Sequence, residues 1–181
     1  MSKFILIASI IILTSWVCVE SIYTHSVTTI EGVNKPFNVY QGKKMLIITL
    51  PIQRNNSNDS LLHSLDSLRN AYNGSLLIIA TPSYEDGYTP AIKDSLKQWY
   101  RGILSMDVIV TEGMYTRKIS GSQQHALFKW LTDKTRNEHF DKDVFGPKSK
   151  FIVWTDGELV GVLGAPTKIS SSTLNNLLQG Q

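Results

Sequence analysis

The apolar residues of this chain are concentrated in short continuous runs, and the stretches between them show helical spacing. Residues 45–50, 75–80 and 107–111 are dominated by leucine, isoleucine and valine, the pattern of strands that are buried on both faces. Residues 55–74 and 91–100 carry apolar side chains three or four positions apart, bounded by capping and turn residues. This alternation predicts a parallel sheet with helices packed against it.

The second half of the chain adds a helix and a hairpin to this sheet. Residues 123–132 place alanine, leucine and tryptophan side chains on one helical stripe. Residues 150–155 and 158–162 are apolar runs joined by an Asp-Gly turn, which predicts an antiparallel hairpin at one side of the sheet. Residues 170–178 predict a closing helix. The predicted fold class is therefore α/β, a central mixed sheet flanked by helices, with residues 22–181 as one domain.

An apolar segment opens the chain. Lys3 is followed by a run of uncharged residues from Phe4 to Val19, and the next charge is Glu20. At a rise of ~1.5 Å per residue the run spans roughly 24 Å, against about 30 Å for a bilayer core. A basic residue before a short apolar run is typical of a secretory signal peptide. We therefore predict that residues 1–21 are a signal peptide or membrane anchor, and that the protein enters the secretory pathway or cell envelope.

Four interpretations of this segment are open. They are signal cleavage after Ser21, an uncleaved membrane span, lipidation at Cys18, and a buried N-terminal strand or helix. The charge pattern favours the first three over the last. The protein would contact the membrane through this segment if it is uncleaved or lipidated.

The charge balance and the cysteine count exclude several function classes. The net charge is +3, from 18 basic and 15 acidic residues, and no basic run is present, so nucleic acid is not an expected partner. Cys18 is the single cysteine, which excludes an internal disulfide, a CxxC redox pair and a cysteine zinc site. The four histidines lack zinc-binding spacing, and we predict neither a metal site nor a cofactor.

Several short segments follow one another in an order that a known family shares. They are Ile30–Gly32, Tyr40–Lys43, Leu46–Ile48, Ala80–Pro82, His125–Leu131, Lys150–Val153 and Ala165–Thr167. In this order they resemble the glutathione peroxidases. The resemblance covers almost all of residues 21–178 and implies a thioredoxin-like fold.

The same resemblance implies where a peroxidase site would lie. In that family a cysteine or selenocysteine follows the first buried strand, and glutamine, tryptophan and asparagine complete the site. The matching positions here are Arg54, Glu85, Gly146 and Pro147, so each of the four residue types has changed. No cysteine occurs after Val19, so no thiolate is available to attack a peroxide. We predict that the chain is not a thiol peroxidase.

A family fold without its reactive group predicts a pseudoenzyme. We expect a non-catalytic protein that binds other proteins as a subunit of a larger, membrane-associated assembly. The alternative is a small-ligand or anion-binding protein, or an enzyme, that uses Arg54, Tyr84 and Glu85 in the remodelled site. A purely structural interpretation of the same residues is an ion pair between Arg54 and the carboxylate of Glu85 or Asp86 across the site.

Overall fold

The computed structural model describes residues 20–180. The strands in this range are β1 (Ser26–Thr28), β2 (Asn34–Pro36), β3 (Lys44–Leu50), β4 (Leu76–Pro82), β5 (Ile109–Val110), β6 (Lys150–Val153) and β7 (Leu159–Leu163). The α-helices are α1 (Asn56–Ala71), α2 (Lys93–Arg101), α3 (Ala126–Thr132), α4 (Lys134–Asn137) and α5 (Ser172–Gln179). Short 3₁₀ segments join several of these elements.

The main sheet has five strands in the order β5–β4–β3–β6–β7. Strands β3, β4 and β5 run parallel, while β6 is antiparallel to β3 and β7 is antiparallel to β6. The predicted mixed sheet with a hairpin at one side is therefore confirmed. Strands β1 and β2 form a separate antiparallel pair that the apolar pattern did not predict.

The central strand β3 supplies core residues to both faces of the sheet, because successive side chains point to opposite sides. Leu46 and Ile48 belong to the apolar cluster that contains side chains of α1, α2 and α5. Met45 and Ile47 belong to the cluster that contains the apolar side of α3. The β3 run is thus buried on both faces, as its continuous apolar sequence predicts.

Polar contacts fix the segment that follows β3. The Asn55 side chain caps α1 by accepting a hydrogen bond from the Asn58 backbone N–H at 2.9 Å. The Asn58 side chain donates to the Gln53 carbonyl at 2.7 Å, and the buried Tyr100 hydroxyl donates to the Pro51 carbonyl at 2.8 Å. Residues 51–55 therefore have a defined path, although they form no regular secondary structure.

The start of the described chain is held against α3 and α4. The Trp130 indole donates to the Glu20 carbonyl at 2.6 Å, and the Arg136 guanidinium pairs with the Glu20 carboxylate at 2.6 Å. The predicted leader, including Cys18, lies outside the described residues. Among residues 20–180, no helix combines the length and apolar character that a membrane crossing requires.

Candidate functional site

The position that the family resemblance implies for a reactive residue lies after the carboxyl end of β3, where the chain turns into α1. A cavity of about 310 Å³ lies there. It is lined by Pro51, Ile52, Gln53, Asn58, Asp86, Pro147 and Lys148. Of the four positions implied by the family resemblance, Pro147 lies on this wall.

Arg54 occupies the implied nucleophile position, immediately before the cap of α1. Its side chain is 66% exposed, and its Nε lies 3.3 Å from the Asp59 carboxylate. The other Asp59 oxygen accepts a hydrogen bond from the Trp99 indole at 2.6 Å. Arg54 therefore borders a groove of about 600 Å³ between its own segment and α2, with Ile52 and Trp99.

Glu85 occupies the implied glutamine position and is the centre of a hydrogen-bond cluster. Its carboxylate accepts hydrogen bonds from the Ser120 hydroxyl at 2.6 Å and from the Ser83 hydroxyl. It also accepts from the backbone N–H groups of Thr116 at 3.0 Å and Arg117 at 2.9 Å. These donors occupy the accepting capacity of the carboxylate, so Glu85 ties residues 83–85 to residues 116–120.

The protonation of Glu85 follows from these contacts. Burial alone would raise the pKa of Glu85, but the hydrogen bonds from Ser120, Ser83, Arg117 and Thr116 outweigh it and lower the pKa from 4.5 to about 2. Glu85 is therefore ionised throughout the physiological range. A carboxylate that stays ionised and fully bonded is suited to holding a loop, and unsuited to accepting or donating a proton during catalysis at neutral pH.

Asp86, the next residue, is the acidic group that lines the cavity. Its side chain is 9% exposed and pairs with the Arg117 guanidinium. Its second oxygen, Oδ2, is buried and has no hydrogen-bond partner among the described residues. Burial raises the pKa of Asp86, Arg117 opposes this, and the charge of Glu85 adds to it.

The structure gives Arg54, Tyr84 and Glu85 separate partners. Arg54 pairs with Asp59, and the Tyr84 ring stacks on the Tyr115 ring with centroids 4.7 Å apart. The prediction that Arg54 pairs with Glu85 or Asp86 was therefore wrong, because the partner of Arg54 is Asp59. The physical reason is local, since Asp59 lies one turn into α1 and reaches Arg54 without crossing the site.

Comparison with solved structures identifies the architecture. The crystal structure of apo Trgpx matches with a TM-score of 0.64 and 15% identity, over 88% of this chain and 94% of that one. T. cruzi GPX1 matches with a TM-score of 0.61 and 16% identity, over 88% of this chain and 97% of that one. A thiol:disulfide interchange protein of Chlorobium tepidum gives 0.60 and 11%, over 92% of this chain and 98% of that one.

The chain has a thioredoxin-like fold. Its structural neighbours include glutathione peroxidase-like and thioredoxin-family proteins, as the resemblance in sequence predicts. No protein-family model and no curated protein matches the sequence. At identities this low, the likeness establishes the fold alone.

In this thioredoxin-like domain, Gly146 and Pro147 occupy the positions that the family resemblance assigns to tryptophan and asparagine. Both contribute through their backbone rather than through a polar side chain. Gly146 has φ +120°, a conformation that favours glycine. Its carbonyl accepts hydrogen bonds from the Thr49 hydroxyl at 2.9 Å and the Ser149 hydroxyl at 3.0 Å. Pro147 has neither a backbone N–H nor a polar side chain. These two residues therefore bring no side-chain donor toward the cavity.

Two large apolar side chains flank this part of the thioredoxin-like domain and face solvent. Ile119 is 87% exposed and Phe145 is 85% exposed. Their segments lie side by side, because the Lys118 backbone N–H donates to the Asp143 carboxylate at 3.0 Å. We call Ile119 and Phe145 the exposed apolar pair. Sequence reasoning missed it, since nothing in the local pattern distinguishes an exposed phenylalanine from a buried one.

Within residues 20–180, no three histidine, cysteine, aspartate or glutamate side chains gather in a metal-binding group. His125 acts as a helix cap, its ring nitrogen accepting from the Leu127 N–H at 3.2 Å.

Proposed function

We propose that this protein is a non-catalytic, glutathione-peroxidase-like domain that binds another protein as a subunit of a larger assembly. In this proposal the N-terminal segment exports the domain or holds it at a membrane. The observation that carries the proposal is the exposed apolar pair beside a site whose nucleophile position is an arginine. The proposal combines the loss of peroxidase activity with a surface suited to protein binding.

The chemistry of the site supports the loss of peroxidase activity. A guanidinium group stays protonated in proteins, so Arg54 cannot serve as a nucleophile. Glu85 is saturated with hydrogen bonds, and Pro147 offers no donor to orient a peroxide. Peroxide reduction by the family's route needs a thiolate or selenolate that cycles through an oxidised form, and no residue after Val19 provides one.

The exposed apolar pair supports protein binding. Covering a phenylalanine side chain removes apolar area from water, at roughly 25 cal/mol per Å². Aromatic residues are enriched in the buried centres of protein interfaces. Lys118, next to Ile119 in sequence, contacts Asp141 and Asp143, so charged groups lie on the two segments that carry the pair. An apolar pair with charged groups on the same segments favours a protein partner over a small polar ligand.

The purified domain is expected to reduce no peroxide. Incubation with hydrogen peroxide and either glutathione or reduced thioredoxin should give the rate of the buffer alone, because the domain has no thiolate. An active glutathione peroxidase serves as the positive control. Turnover that scales with the concentration of the domain would refute the non-catalytic part of the proposal.

Photo-crosslinking in cells is expected to locate the partner on the exposed apolar pair. A photoreactive phenylalanine analogue at position 145 should give a discrete covalent adduct with one protein. The same analogue at Met106, which is 71% exposed, is the matched control and should not give that adduct. Ile119→Ser should reduce adduct formation from position 145. Equal adducts from positions 145 and 106 would contradict the assignment of this surface.

A further inference from the structure

A second cavity, on the far side of α1 from the Arg54 groove, is lined by positive charge. It has a volume of about 540 Å³ and lies between α1 and the loop that follows β7. The lysines on its wall are Lys148, Lys150 and Lys168. The remaining lining residues are Ser57, Ser60, Leu61, Ser64, Ala165, Pro166, Thr167, Ile169 and Ser170. We call this cavity the lysine cleft, and none of the acidic residues within the described range 20–180 lines it.

Lys150 is a cation in a core position. It pairs with Ile48 in the β3–β6 register, so its side chain lies in the row that faces α1. The residue is 1% exposed. Its Nζ donates to the carbonyls of Lys148 at 2.7 Å and Gly164 at 3.2 Å. Both acceptors are neutral, so no carboxylate balances the charge, and a third N–H of the ammonium group has no partner among the described residues.

The nearby acidic residues of α1 do not compensate this charge. Asp59 binds the Trp99 indole, and the Asp66 carboxylate accepts from the Ser105 backbone N–H at 2.8 Å. Both contacts place the carboxylates on the α2 side of α1. The cleft side of α1 presents the hydroxyls of Ser57 and Ser60 instead. Asp59 and Asp66 therefore lie on the side of α1 that faces away from the three lysines of the cleft.

Lys148 is held in an unfavourable backbone conformation at the edge of the cleft. Its φ is +71°, a left-handed conformation in which a residue with a Cβ is strained. Its N–H donates to the Thr49 carbonyl at 2.7 Å, and its carbonyl accepts from Lys150.

Burial lowers the pKa of Lys150 to about 8, with a further contribution from Lys148, so Lys150 is mostly protonated at pH 7. Two adjacent ammonium groups thus repel one another at this site.

We propose that the lysine cleft binds a small organic phosphate or sulfate monoester. The oxyanion would lie between the ammonium groups, which prefer phosphate and sulfate oxygens as acceptors, with the Ser57 and Ser60 hydroxyls as further donors. The carbon part of the ligand would pack on Leu61 and Pro166. This inference goes beyond the proposed function, because it assigns a small-molecule ligand to the cleft rather than a protein partner to the exposed apolar pair. Lys148 lines both the cleft and the cavity at the former peroxidase position, whereas Lys150 and Lys168 line the cleft and not that cavity.

Calorimetric titration at low ionic strength tests the proposal with glycerol 3-phosphate as the probe. We expect saturable binding of glycerol 3-phosphate and no binding of glycerol. Lys148→Gly and Lys168→Met should each weaken the affinity about tenfold or more, while Lys134→Met, the same charge change on α4, should leave it unchanged. Lys148→Gly should fold at least as stably as the parent, since glycine adopts a positive φ without strain.

Titrations with inorganic phosphate and with vesicles distinguish a soluble anion from a lipid headgroup as the ligand. Binding of inorganic phosphate with the same dependence on Lys148 and Lys168 would also support the oxyanion site. Three outcomes would overturn the proposal. They are no saturable binding of either probe, an affinity that Lys168→Met leaves the same as in the parent, and binding to vesicles containing phosphatidic acid without binding to the soluble probes.

Discussion

Replacing Glu85 with glutamine is expected to lower the free energy of unfolding by about 2–3 kcal/mol at pH 7. The change restores the residue type that the family resemblance implies at this position, yet it is not conservative in this structure. The carboxylate accepts from Ser83, Ser120 and the N–H groups of Thr116 and Arg117. An amide NH₂ would face at least one of these donors and leave it without an acceptor.

The effect of this substitution should depend on pH in a defined direction. The pKa of Glu85 in the folded protein is lowered to about 2 from 4.5. Its contribution to stability is therefore present above about pH 4.5 and is lost as the pH falls towards 2. Glu85 is partly open to water, so solvent screening reduces the contribution below what the full pKa shift implies. The stability difference between parent and variant should shrink steadily over this window.

Denaturant unfolding of both proteins between pH 7 and pH 2 measures this difference directly. Other carboxylates affect both proteins alike and largely cancel in the comparison. Glu138→Gln removes an exposed carboxylate and serves as the control, with an expected change within about 0.5 kcal/mol. A difference between parent and Glu85→Gln that stayed constant down to pH 2 would show that the carboxylate charge is not what the cluster uses.

Replacing Gly113 with alanine is expected to destabilise the domain by about 3 kcal/mol. A Cβ at this position would lie 2.0 Å from Cδ1 and 2.2 Å from Cε1 of the Tyr88 ring. Tyr88 is buried, and its ring also packs edge-on against Tyr84 with centroids 5.1 Å apart. The ring therefore cannot move away from Gly113 without disturbing the loop that carries Glu85.

Gly164→Ala is the matched control, because its nearest neighbour would be Pro166 Cδ at 3.5 Å, an ordinary contact. Thermal unfolding should show a large decrease in Tm for Gly113→Ala and little change for Gly164→Ala. Combining Gly113→Ala with Tyr88→Ala should cost less than the sum of the two single changes, because the second removes the ring that the first contacts. Strict additivity of the two would rule out the steric explanation.

The main elements of the fold could be predicted because their signals are local. The β3 and β4 runs are continuous and apolar, and Asn55 caps α1 as an asparagine before a helical pattern should. The apolar pattern did not predict the β1–β2 pair, because it has three residues on each strand and only Val27 among them is buried. The predicted helix over 123–132 begins at Ala126, since residues 118–123 form a 3₁₀ segment.

The candidate sites were harder to predict because they depend on contacts between distant parts of the chain. Glu85 is bonded by residues more than thirty positions later, on a segment without a periodic pattern. Lys150 begins an apolar strand, where a lysine is usually exposed. Its burial follows from the register that places it opposite Ile48 and beneath the loop at Gly164. Sequence patterns show which residues form a strand but not what covers its ends.

The contacts of Glu20 distinguish the two faces of the main sheet. Trp130 and Arg136 hold Glu20 against α3 and α4, on the face of the sheet opposite α1. The described chain therefore begins on the α3 side of the sheet. In the proposed attachment to a bilayer through the residues before Glu20, the α3 side would lie nearer the lipid than the α1 side that carries the lysine cleft, and a soluble anion would reach the cleft from the aqueous phase.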